Sequence, residues 1–169
     1  MKQFRILGLA FIAVSATLLT SCEKDPDPQT KSTDYPFNTG QLGAGTAYSG
    51  SHGAITATVK LTENGNQTTV TVTLMGTMNG QDYNVHVHDS ADPLTTPNGT
   101  PYNETPNTSI LVTTIAGNGG TVSKDYTSTM SYNDLVNNYT GGFFVVHDPT
   151  QPISTTNIQT YLIVGAFEQ

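Results

Sequence analysis

Residues 53–76 read GAITATVKLTENGNQTTVTVTLMG, and their alternation decides the fold class. Ile55, Ala57, Val59 and Leu61 alternate with Thr56, Thr58, Lys60 and Thr62, and Val70, Val72 and Leu74 alternate with Thr69, Thr71 and Thr73. Successive side chains of a strand point to opposite faces, so each run has one apolar and one hydroxylated face, the pattern of a half-buried strand. Asn64-Gly65 lies between them and signals a tight hairpin, because such turns need the left-handed backbone that glycine adopts without strain. The two runs are predicted to pair antiparallel.

Further β-segments lie at Thr46–Ser49, Tyr83–His88, Ser109–Ile115, Thr121–Thr127, Gly142–His147 and Thr160–Phe167, divided by Gly, Asn and Pro clusters such as GNGG at 117–120. Helical signal is confined to a short turn at Tyr132–Asn137. Many short strands at even spacing predict an all-β domain, an eight-stranded antiparallel Greek-key sandwich or flattened barrel.

Upstream, MKQFRILGLAFIAVSATLLTSC opens with Lys2 and Arg5 and continues in an apolar run, Ile6 to Leu19, that is short for a bilayer span. Residues 1–21 are read as a signal peptide. Leu19-Thr20-Ser21-Cys22 resembles the lipobox of bacterial lipoproteins, which implies cleavage before Cys22 and lipidation of its thiol. Two or three acyl chains anchor a domain stably, at about 0.8 kcal/mol per buried methylene. Residues 22–40 are rich in Pro, Asp, Thr and Lys and are expected to form a flexible linker. That leaves 41–169 as one domain in the cell envelope, held to the membrane only by the lipid.

Of six basic residues, Lys2 and Arg5 depart with the signal peptide, leaving four lysines against 13 acids, a net charge of −9. With no arginine in that part of the chain, a nucleic-acid partner is excluded. Cys22 is the sole cysteine, so the domain holds no internal disulfide. No Gly-rich phosphate loop and no G-x-S-x-G elbow is present.

The histidines carry the chemistry. In Tyr83-Asn84-Val85-His86-Val87-His88 the two imidazoles leave one face of a strand and the valines leave the other. His147 closes Phe143-Phe144-Val145-Val146-His147, and a strand beside the first would bring a third nitrogen to the same face. Imidazole suits copper and zinc, with copper the stronger binder in the Irving–Williams order. His52, in Ser51-His52-Gly53, is read as a polar turn residue at the surface.

The passage from Gly76 to Asp89, ending in His86-Val87-His88, resembles the strand-turn-strand segment of the copper-zinc superoxide dismutase family that ends in HVH. Val145-Val146-His147-Asp148 resembles its VVHE, and Tyr161–Phe167 resembles its closing strand. The resemblance implies that His86, His88 and His147 take the positions of three copper ligands, and the site they form is expected to be open to solvent. It also locates departures. Residues 89–108 contain no histidine, so zinc would lose most of its site; Asp89, Asp92 and Glu104 there could offer oxygen but are read as solvated loop acids. The stretch 153–159 has no arginine to orient superoxide. The function implied is copper binding, with at most weak dismutase activity on a small oxygen species. A second reading stays open on the residues: a non-enzymatic adhesion or binding module that has lost metal, with Tyr102, Tyr126, Tyr132 and Tyr139 as contact residues.

Overall fold

A computed structural model describes residues 26–91 and 101–167. Nine strands are formed: β1 Thr30–Tyr35, β2 Thr56–Asn64, β3 Gln67–Met75, β4 Asp82–Ser90, β5 Tyr102–Pro106, β6 Val112–Ala116, β7 Thr121–Ser128, β8 Phe143–His147 and β9 Tyr161–Ala166. The helical content is one π-turn, Asp134–Asn138, and one 3-10 turn, Ile158–Thr160. Every strand pair is antiparallel.

The strands form two sheets. One runs β1-β2-β3-β7; the other runs β5-β4-β8-β9, with β6 also pairing β4. β7 joins β3 only after the chain has visited the opposite sheet as β4, β5 and β6, a crossover that ties the layers together. The expected all-β sandwich is therefore present, and no barrel closes around it.

The threonine-alternating strands behave as their pattern requires. Ala57, Val59 and Leu61 of β2 and Val70, Val72 and Leu74 of β3 are buried, and they meet Val85, Val87, Phe144, Val146 and Ile163 from the second sheet. Each such aliphatic side chain contributes about 1.5–3 kcal/mol on burial. The β2–β3 hairpin pairs Asn64 with Gln67, so its loop is Gly65-Asn66, one residue later than the Asn-Gly pair suggests. Gly65 has φ +60°, while no described non-glycine residue has positive φ. Glycine thus takes the first central position, as in a type II′ turn.

Three expectations are corrected. Part of the 22–40 linker is structured: Thr30–Tyr35 adds to the free edge of β2 as β1, and Tyr35 is buried with its ring 4.6 Å from that of Phe144. Backbone pairing with β2 and a single aromatic anchor order this segment despite its polar composition. Thr46–Ser49 is not a strand; its backbone is held by Asn38, whose Nδ2 donates to the Thr46 carbonyl and whose own carbonyl accepts from Tyr48 N–H. The supposed acidic loop contributes β5, which borders the histidines. The signal peptide, Cys22 and Asp92 lie outside the described residues.

Candidate metal centre

β4 is the interior strand from which the site is built. β8 lies on one side, and β6 and β5 follow one another along the other, so residues 85–88 are buried on both faces. Val85 and Val87 enter the inter-sheet core, which turns His86 and His88 to the outer face of the second sheet. His86 pairs with Val145 of β8, which places His147, two residues on, diagonally across from it. A register shift at Val146/His147 lets β9 meet β8 with Tyr161 opposite His147.

The three imidazoles come together as predicted. One ring nitrogen from each of His86, His88 and His147 lies within 4.8 Å of the others. His86 Nε2 and His147 Nε2 face each other at 2.9 Å. His88 Nδ1 lies 2.6 Å from the Asn103 carbonyl of β5, a contact that requires Nδ1–H as donor. That contact fixes the tautomer, and His88 Nε2 is left as a lone-pair nitrogen that is buried with no hydrogen-bond partner. A carbonyl that orients a histidine from its far nitrogen is the usual support of a metal-binding imidazole.

The expected open site is closed. His86, His88 and His147 are 7%, 0% and 2% exposed. Tyr161 stands edge-on to the His147 ring at 4.5 Å, Tyr102 of β5 tilts over His88 at 5.1 Å, and the two tyrosine rings stack on each other at 5.9 Å. Val145 and Val164 complete a small apolar cluster on this face, against which Leu42, Phe143 and Ile158 pack. Burial lowers His147 to about 4 and His86 to about 3, helped by repulsion from the neighbouring imidazoles, and it also depresses His88. All three are neutral at physiological pH, the form that binds metal.

The acids do not join them. Asp89 accepts from Asn107 Nδ2 at 2.8 Å and from the Tyr139 hydroxyl at 2.7 Å. Asp148, which follows His147, is buried and accepts from Tyr48, Thr150 and Gln151. Glu104 is half-buried on β5, and no carboxylate belongs to the three-histidine group among the described residues.

His52 is corrected from a surface turn to a buried residue, 7% exposed. Its Nδ1 meets the Gly53 carbonyl at 2.6 Å and its Nε2 meets the Tyr83 hydroxyl at 2.8 Å. Both ring nitrogens are satisfied, and its role is structural. The tyrosines proposed as surface contacts are also largely inward: Tyr102 and Tyr132 are buried, while the Tyr126 and Tyr139 hydroxyls are spent on Thr108 O and Asp89.

Tyr102, Tyr161 and Asn103 are the site residues that pattern reading misses. The β5 sequence Tyr-Asn-Glu-Thr-Pro has one apolar residue and no alternation, so nothing local marks it as a strand. Searches of protein-family models, curated proteins and solved structures find no match to this chain.

Proposed function

We propose that this chain is an envelope lipoprotein, anchored through Cys22, that binds copper through His86, His88 and His147 on a dismutase-like sandwich. The carrying observation is the orphaned Nε2 of His88 beside the facing Nε2 atoms of His86 and His147. A buried unsatisfied nitrogen costs about 1–3 kcal/mol, which an ion accepting its lone pair removes. Metal–nitrogen bonds of about 2.0 Å set neighbouring imidazole nitrogens about 3.3–3.6 Å apart. The present separations, 2.9 Å for one pair and at most 4.8 Å for any, straddle that spacing, so small ring rotations suffice.

A three-imidazole set suits either copper or zinc, and copper is preferred here because it stands above zinc in the Irving–Williams order. Bound copper supplies one-electron redox chemistry. Turnover of superoxide is disfavoured by this chain's own residues: the histidines are buried, no arginine follows Cys22, and the net charge of −9 repels an anion. Binding is the main function, with dismutation weak at most. Copper titration of the metal-free protein tests it: one copper per chain is expected, and unchanged binding by the His86→Ala/His88→Ala variant refutes the site.

A further inference from the structure

The three-histidine site is roofed by two fully buried tyrosines, and the roof bears on which oxidation state it holds. Resting on the copper reading above, we infer that Tyr102 and Tyr161 make this a site selective for Cu(I) over Cu(II).

Three neutral imidazoles bring no charge, so the complex keeps the full charge of the ion. Around them stand Tyr102, Tyr161 and Val145, each 0% exposed, and Val164 at 3%. The cost of moving an ion from water into such surroundings grows with the square of its charge, so a dication is penalised about four times as heavily as a monocation. Cu(II) also prefers tetragonal surroundings with four or more ligands. Asp89 and Asp148 are engaged elsewhere, and the aromatic rings pack against the faces of His88 and His147, which are 0% and 2% exposed, so little water reaches these two imidazoles. Glu104 favours the dication, but only twofold in charge, and solvent screens its half-exposed carboxylate. Both charge and coordination number therefore point to Cu(I).

The test is a pair of competition titrations on the full chain. One uses a Cu(I)-specific chelator under anaerobic, reducing conditions, and the other uses a Cu(II) chelator in air. Cu(I) is expected to bind at least a hundredfold more tightly than Cu(II). In Tyr102→Ala and Tyr161→Ala the ratio should fall tenfold or more, equivalent to a drop of about 59 mV in reduction potential per tenfold. Tyr102→Phe and Tyr161→Phe keep the rings and should stay near wild type. Cu(II) affinity equal to or above that of Cu(I) in the wild-type protein overturns the inference alone. Failure of both ions to bind overturns the copper reading and the inference together. Ratios unchanged from wild type in folded Tyr102→Ala and Tyr161→Ala overturn the role given to the tyrosines, and the wild-type ratio tests the selectivity itself even where an alanine variant does not fold.

Discussion

Replacing His88 by phenylalanine separates a metal ligand from a structural histidine. The substitution keeps a buried ring but deletes the unpartnered Nε2 and the Nδ1–H contact to the Asn103 carbonyl. Removing a buried orphan relieves about 1–3 kcal/mol, and losing the hydrogen bond costs about 0.5–1.5 kcal/mol. The larger phenyl ring adds about 1 kcal/mol of strain at most where the site can relax. The metal-free variant should therefore lie between about 2.5 kcal/mol more stable and about 1.5 kcal/mol less stable than the wild type. On the reading proposed above, copper shifts the balance toward the wild type. At a free concentration a hundred times its dissociation constant it stabilises the wild type by about 2.7 kcal/mol; if loss of one ligand weakens binding about a hundredfold, the same copper gives the variant only about 0.4 kcal/mol. Urea unfolding followed by circular dichroism, with and without copper, measures both quantities. A variant that still gains more than about 2 kcal/mol from copper, or whose metal-free form loses more than about 3 kcal/mol, refutes this account of His88.

The metal-free protein should lose stability as pH falls. His86 and His147 titrate at about 3 and about 4 when folded and near 6.5 when unfolded, so below 6.5 the unfolded chain binds more protons and is favoured. Each group contributes a slope of about 1.4 kcal/mol per pH unit down to its folded value, and urea midpoints that stay flat between pH 6.5 and 4.5 would contradict this. A chain that begins at Gln41 lacks β1, exposing the β2 edge and removing Tyr35 from the core; it should lose at least about 3 kcal/mol, whereas removal of a true linker would leave thermal unfolding unchanged. Gly117→Ala should cost more than about 2 kcal/mol, because a Cβ there would sit 2.2 Å from the Met78 carbonyl oxygen; an unchanged melting temperature would show that this backbone can yield.

Much of the sandwich was legible because its strands are written in a period of two. In β2 and β3 the buried residues are the alternating apolar ones, joined by Thr68 at the start of β3, and the threonines between the apolar residues stay on the outer face. β1 and β5 were not legible: Thr-Lys-Ser-Thr-Asp-Tyr and Tyr-Asn-Glu-Thr-Pro take their order from backbone pairing with β2 and β4, and no local hydrophobic pattern reports a partner that is remote in sequence. His52 was misread for a related reason, since its burial depends on Tyr83, 31 residues away.

By itself, the H-x-H spacing determined that His86 and His88 share a face, because strand geometry allows nothing else. Alternation determined two-sided strands, and composition determined a disulfide-free, strongly acidic domain. Only the tertiary structure decided that β8 lies beside β4 and carries His147 to those two imidazoles. It also decided that Tyr102 and Tyr161 pack against them, and that the Asn103 carbonyl fixes the His88 tautomer and leaves its other nitrogen buried without a partner. The physical reason is that periodicity is a property of one strand, whereas a buried site is made by the pairing of several.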